Sequence, residues 1–255
     1  MRLLTAAFLD DATLEAGVSH ALLDRVGAGE LPESFRLALT PATLSFGRLD
    51  SHQPGFPDAV RAAEQHGFAP VHRLGGGRAA VFHEGTLAFG WAVADEEPRT
   101  GTHERFARLA ALIAEALGSL GLDAQVGELP GEYCPGDYSV HVGPVKVVGI
   151  AQRITKSASY TEGVIVVTGG DRVRDVLVPV YAALGLDWDP STAGDLGGPS
   201  LEDVQRAVTE RLARDHDVDR HDALDEETLA LARRYAVRHD ARDAEPPKRL
   251  LAPNP

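Results

Sequence analysis

Residues 138–168 read YSVHVGPVKVVGIAQRITKSASYTEGVIVVT. Apolar and polar side chains alternate there in short runs, and glycine-containing turns break the runs. The pattern predicts successive strands, with Gly143 and Pro144 making a hairpin turn. Upstream, residues 70–94 (PVHRLGGGRAAVFHEGTLAFGWAVA) predict a strand, a glycine turn, a strand, a loop and another strand. Residues 35–49 carry one or two strands around Pro41. Helices frame these strands. Leu14, Val18, Leu22 and Val26 recur near a 3.6-residue period over 12–26, and Pro57 and Gly67 suit the two ends of a helix over 56–67. Over 102–121, Phe106, Leu109, Ile113 and Leu117 line one face. After Gly169 two helices follow. One starts at Ser200–Asp203 with the stripe Leu201, Val204, Val208 and Leu212, and one starts near Asp225 with Leu229, Ala232 and Tyr235. Strands in runs, with helices between and after them, predict an α+β fold rather than alternating βαβ units.

Composition narrows the function classes. A net charge of −13 argues against nucleic acid or an anionic membrane as a general partner. No apolar run approaches the roughly 20 residues that span a bilayer, and Asp10 and Asp11 cut the N-terminal apolar run too early for a signal peptide. A cytoplasmic protein is expected. The single cysteine, Cys134, excludes a disulfide within the chain. Only three lysines occur, Lys146, Lys156 and Lys248, so each draws notice.

Three constellations carry chemical possibilities. Three consecutive glycines, Gly75, Gly76 and Gly77, sit between two apolar strands and follow Arg73. They fit close approach of a ligand to backbone as well as they fit a bulge or tight turn, and they lack the spacing of a phosphate loop or a dinucleotide fingerprint. Cys134 lies in Tyr133-Cys-Pro-Gly-Asp-Tyr138, a turn sequence, whereas a lone cysteine is most often an inert core side chain. Lys146 stands twelve residues later among Val145, Val147 and Val148. It is either a snorkelling surface lysine or a cation placed to hold a carbonyl or lower a thiol's pKa. His52, His72 and His83 share no ligand spacing, so no metal is expected; His216 and His221 read as surface residues, and Asp187, Asp189 and Asp195 as a solvated loop.

Taken in order, these segments resemble the biotin/lipoate protein ligase superfamily, in its lipoate ligase and octanoyltransferase branch. The resemblance runs from about residue 17 to residue 236 and rests on LLDRVGAGELPESFRLALTPATLSFGRLDS, RLGGGRAAVFHEGTLAF, VKVVGIAQRI and DEETLALARRYAVRH. YCPGDYSVHVGPVKVVGIAQR is most similar to the cysteine-dependent amidotransferases that pass octanoyl between glycine cleavage protein H and other lipoyl domains. This chain departs from the pattern in places. His72 precedes Arg73 where members often carry a second arginine, Gly75 replaces a serine or threonine, His83 lies one residue further from the glycines, and 17–26 lacks the particular acidic residue that members commonly carry in the first helix.

The resemblance implies a mixed β-sheet flanked by helices, like class II aminoacyl-tRNA synthetases and biotin synthetase, with two C-terminal helices. It implies a catalytic domain over 1–195, a helical extension docked on it over 196–245 and a flexible tail over 246–255. It further implies Cys134 as nucleophile and Lys146 as the cation that favours its thiolate and holds the acyl carbonyl. Arg73, Gly75, Gly76, Gly77, Ala79, Ala80, His83, Gly149, Ile150, Ala151 and Gln152 would contact substrate, the glycines wrapping an acyl chain. The implied partners are lipoyl-domain proteins (glycine cleavage protein H and the acyltransferase subunits of 2-oxoacid dehydrogenases) and acyl carrier protein. The transferase needs no cofactor. An ATP-dependent lipoate–protein ligase, which would take ATP and Mg, is the first alternative, and a non-catalytic binder of lipoyl domains or acyl groups is the second.

Overall fold

In the computed structural model, residues 1–243 are described. The tail expected over 246–255 lies outside them. The chain runs β1 (Arg2–Leu4), α1 (Ala12–Gly27), β2 (Ser34–Ala38), β3 (Thr43–Phe46), α2 (Phe56–Gln65), β4 (Ala69–His72), β5 (Ala80–Phe82) and β6 (Thr86–Ala94). It continues with α3 (Thr102–Gly118), β7 (Ala124–Val126), β8 (Val140–Val142), β9 (Val145–Ile154), β10 (Ala158–Val166) and α4 (Gly170–Leu184). After a 3-10 turn at Pro190–Thr192 come α5 (Leu201–Asp215), β11 (Asp219–His221) and α6 (Glu226–Ala236).

The expected mixed sheet flanked by helices is present. Eight strands pair in the order β11-β1-β2-β6-β10-β9-β8-β7, parallel at the β11-β1-β2 end and antiparallel elsewhere. A second sheet, β4-β3-β5, carries the glycine turn between β4 and β5. On one side of the large sheet Phe35, Leu37, Trp91 and Ile165 pack with Leu109, Ile113 and Leu117 of α3 and Val204, Val208 and Leu212 of α5. On its other side α1 packs on β6 and β10 through Val18, Leu22, Ala92 and Tyr160, with Ala232 of α6 in the same cluster. The small sheet closes against α2 and α4 through Phe46, Phe56, Val81, Val176, Leu177 and Tyr181. The two C-terminal helices are α5 and α6.

Helix α4 was not expected. Its sequence VLVPV is β-branched and holds a proline inside the helix, a composition that reads as strand or turn. Yet Val173, Val176, Leu177, Val180, Tyr181 and Leu184 recur every three or four residues and all are buried. Packing on α2 overrides the local preference. The three-residue strands β1, β7 and β11 are too short to show alternation in the sequence.

Residues 237–243 return to the small sheet. His239 accepts the His72 N–H at its carbonyl, and its Nδ1 lies 2.6 Å from the His72 carbonyl oxygen. Nδ1 must therefore carry the proton, which leaves Nε2 to accept from His20 Nδ1 at 3.4 Å. His20 also stacks on Tyr235, with ring centroids 4.0 Å apart. Burial and the neighbouring imidazole push His20 from 6.5 to about 3, and burial pushes His239 from 6.5 to about 4. Below pH 6.5 the unfolded chain therefore binds protons that the folded chain refuses, and stability falls as pH drops towards those values. His20→Phe keeps the stacking and removes one titrating group. Denaturant unfolding between pH 7 and about pH 4 should show wild type losing on the order of 2 kcal/mol more than His20→Phe. Parallel pH profiles would show that the pair does not set acid stability.

Candidate active site

The Cys134 loop is built as a strained turn held from two sides. Cys134 adopts φ 43°, a left-handed conformation that costs a non-glycine residue on the order of 1–2 kcal/mol. Its N–H donates to the Tyr181 hydroxyl oxygen at 2.9 Å, and that hydroxyl donates to the Ala79 carbonyl at 3.1 Å. Its carbonyl accepts from Lys146 Nζ at 2.8 Å. These pins grip backbone, so they hold whatever side chain stands at 134.

Lys146 is 1% exposed. Besides the Cys134 carbonyl it reaches the Tyr133 carbonyl at 3.0 Å and Glu132 Oε1 at 3.0 Å. An ammonium has three N–H donors, and all three are taken by the cysteine loop. Lys146 is thus neither a surface lysine nor, in this arrangement, free to hold an acyl carbonyl. Glu132 is itself satisfied by the Ser139 hydroxyl and the Gly136 and Leu129 N–H groups.

The thiol has its own donors. Cys134 Sγ accepts the Arg78 N–H at 3.2 Å and lies 3.5 Å from Arg73 Nη2. Burial pushes the thiol up, but the positive charges of Arg73 and Lys146 and the two donors outweigh it, so the thiol sits below its ordinary value. The Arg73 guanidinium is enclosed by protein, with Cys134, Glu162 and Asp50 as its negative neighbours.

The three glycines do three different things. Gly77 has φ +95°, and a Cβ there would fall 2.4 Å from Arg73 Nη2 and 2.9 Å from Cys134 Sγ. A Cβ on Gly75 would meet Ala151 Cβ and Glu162 Oε1, both at 2.9 Å. Gly76 is exposed, and a Cβ there would meet nothing within 4 Å. None of the three glycines lines the cavity beside Cys134, and an acyl chain along them remains a proposal. Gly77→Ala should cut turnover at least about tenfold by displacing Arg73 and the thiol and straining the backbone, while Gly76→Ala should stay within about 0.5 kcal/mol of wild-type stability with normal turnover. Steady-state rates and melting curves of the two variants check this; equal losses would show that the turn serves folding alone.

A cavity open to solvent lies between the large sheet, α1 and the small sheet. Arg73, Ala80, Cys134, Lys146, Gly149, Ile150 and Ala151 line it, as do Phe82, Phe89, Val164 and Glu162. Where β2, β6 and α1 wall it, Arg36 pairs with Glu15 at 2.6 Å, both buried. Other expected contact residues lie elsewhere. Ala79 is in the core under α2 and α4, and Gln152 donates to Thr161 Oγ1 at 2.7 Å. His83 is buried away from the cavity, its Nδ1 accepting the Gly85 N–H at 3.0 Å and its ring against Gly169. Asp195, expected in a solvated loop, accepts the Gly170 N–H at the start of α4 at 2.8 Å. Among the described residues no three His, Cys, Asp or Glu side chains form a group fit to hold a metal ion, and no helix is long and apolar enough to cross a membrane.

Glu132, Glu162 and Tyr181 are among the polar groups of the site that the sequence did not disclose. Glu132 precedes Cys134 by two residues and Glu162 is a lone acid in an apolar strand, so both left a trace. Tyr181 sits on the unexpected helix and left none.

Residues 11–179 match the family model described as the lipoyl protein ligase A/B catalytic domain. The chain belongs to this lipoyl protein ligase A/B family. Among relatives of this family, an octanoyl-[GcvH]:protein N-octanoyltransferase of Geobacillus kaustophilus is 29% identical over 177 residues, which are 69% of this chain and 62% of that protein. Another of the same name, from Bacillus velezensis, is 27% identical over 185 residues, 72% of this chain and 64% of that protein. The chain thus spans less than two thirds of the length of these relatives. In shape it is similar to a lipoate-protein ligase A crystallised with ATP, with a TM-score of 0.75, 19% identity and coverage of 92% of this chain and 94% of that one. That likeness establishes the lipoyl ligase fold.

Proposed function

We propose that this chain moves a medium-chain acyl group, octanoyl or lipoyl, from a carrier protein to a lysine of a lipoyl-type domain through a thioester on Cys134. The observation that carries this reading is the thiol itself: the chain's one cysteine, in a pinned left-handed turn, beside Arg73 and the Arg78 N–H at the wall of a cavity. The names of the relatives support the same reaction and suggest glycine cleavage protein H as donor or acceptor.

The chemistry runs in two halves. The Cys134 thiolate adds to the acyl carbonyl of the donor, a C–S bond forms, and the bond to the donor's sulfur or nitrogen breaks as that atom takes a proton. The acceptor's lysine nitrogen then adds to the same carbon, forming the amide and breaking the C–S bond. Arg73, 3.5 Å from the sulfur, is the side-chain cation adjacent to where the acyl oxygen would carry charge, since Lys146 already has its three acceptors. From a thioester donor the transfer is downhill, and from an amide donor it exchanges like for like. Neither needs ATP.

The test is intact-mass analysis of an unmodified lipoyl domain incubated with the chain and one of three donors, octanoyl-loaded glycine cleavage protein H, octanoyl-loaded acyl carrier protein or free octanoate, each with and without ATP. The acceptor should gain the acyl group in the absence of ATP. Modification only from free acid plus ATP would support a lipoate–protein ligase instead, and no modification in any arm a binding protein.

A further inference from the structure

We propose that Glu162 is the general base of the second half-reaction, taking a proton from the acceptor's lysine ammonium before its nitrogen attacks the Cys134 thioester. The inference rests on the acyl-transfer reading. A lysine with the ordinary pKa of about 10.4 has fewer than roughly one in a thousand of its amines uncharged at neutral pH. A transferase acting on lysine therefore needs a proton acceptor where the nitrogen arrives.

The cavity holds few groups that can serve. Among the described residues no histidine or aspartate lines it. Glu15 is committed to Arg36 at 2.6 Å and to the Phe8 N–H at 2.6 Å. Burial pushes the phenols of Tyr133 and Tyr160 further up, away from neutral pH. Lys146 is filled by its three acceptors. Glu162 remains. It stands mid-strand on β10, opposite Gly90 of β6 and Ala151 of β9. Its Oε1 accepts the Gly75 N–H at 2.8 Å, which fixes the carboxyl at the base of the glycine turn. Among the described residues no donor reaches Oε2 within hydrogen-bond distance, and no cation pairs with the side chain within 4.0 Å. The side chain is enclosed by protein yet partly accessible, as befits one that opens onto a cavity. Burial raises its pKa, with the Gly75 N–H and the Arg73 charge holding it back, and a raised carboxyl is a better base at neutral pH. Arg73 faces both Glu162 and Cys134, so base and nucleophile share one cation.

The step balances. The Glu162 carboxylate takes one proton from the ammonium, and the freed lone pair forms the C–N bond. The C–S pair returns to Cys134 sulfur, which takes the second nitrogen proton and leaves as the thiol. Glu162 then releases its proton to water.

The experiment uses the chain preloaded with octanoyl and challenged in a rapid quench with a lipoyl domain or with hydroxylamine, a nucleophile already uncharged at neutral pH. Glu162→Gln keeps an acceptor for the Gly75 N–H and removes the base. Loading of Cys134 and discharge to hydroxylamine should match wild type. Discharge to the lipoyl domain should slow at least about 100-fold, with the deficit shrinking as pH rises towards the lysine's own pKa. Glu162→Asp, which keeps a carboxylate, should fall between. Equal discharge of wild type and Glu162→Gln to the lipoyl domain overturns the role of Glu162, and so does an equal loss with both nucleophiles, since that marks a purely structural residue. Failure of the wild type to load at all overturns the acyl-enzyme reading and this step with it.

Discussion

Cys134→Ala should lower acyl transfer by a factor on the order of 10³ or more while leaving the fold intact. The fold should survive because Tyr181 and Lys146 hold the N–H and carbonyl of residue 134, and neither touches its side chain through these bonds. The φ of 43° makes a second variant informative. Cys134→Gly relieves a left-handed strain that alanine keeps, so it should be as inactive as alanine but more stable than it by about 1 kcal/mol. Thermal melts and transfer rates of the two variants separate strain from chemistry. Transfer at wild-type rates by Cys134→Ala would remove the cysteine from the reaction.

The second large effect concerns Lys146 and Glu132, a fully enclosed ion pair at 3.0 Å. Lys146→Met leaves the buried Glu132 without its cation and two loop carbonyls without their donor, and should cost about 3–5 kcal/mol of stability. Replacing both partners removes the orphaned charge, so Lys146→Met/Glu132→Gln should recover most of that loss. Reactivity should not recover with it. The Lys146 charge helps hold the Cys134 thiol below its ordinary value, after Arg73, and both variants lack that charge. Iodoacetamide alkylation at neutral pH should therefore be slow in the single and the double variant alike, with the pH profile shifted upward. Wild-type alkylation in the double variant would confine Lys146 to holding the loop.

Much of this architecture was legible in the sequence, for physical reasons that differ by element. The hairpin at Gly143 and Pro144 and the amphipathic faces of α1, α3 and α5 are local patterns, and the structure keeps them. Helix α4 was not legible because its β-branched run with Pro179 is helical only through its packing on α2. The order of the eight strands depends on pairings such as β1 with β11, more than 200 residues apart, which no local pattern encodes. Around the site, the types of residue could be read, but their commitments could not. Lys146 showed as a cation in an apolar strand, while its three acceptors became visible only with the loop in place. The three glycines looked equivalent, and only their surroundings distinguish Gly75 and Gly77 from the outward Gly76. Glu162 gained meaning only once the fold placed it across from Gly90 and Ala151, under the Gly75 N–H and at the wall of the cavity.

The proposed acyl-enzyme is directly measurable. The chain is mixed with octanoyl-loaded glycine cleavage protein H without an acceptor, quenched in acid and weighed intact, then mapped by peptide and treated with hydroxylamine. One octanoyl adduct should appear on the peptide containing Cys134, disappear with hydroxylamine and be absent in Cys134→Ala. A chain that stays unmodified under these conditions, yet still transfers octanoyl when an acceptor domain is added, would contradict a mechanism through Cys134.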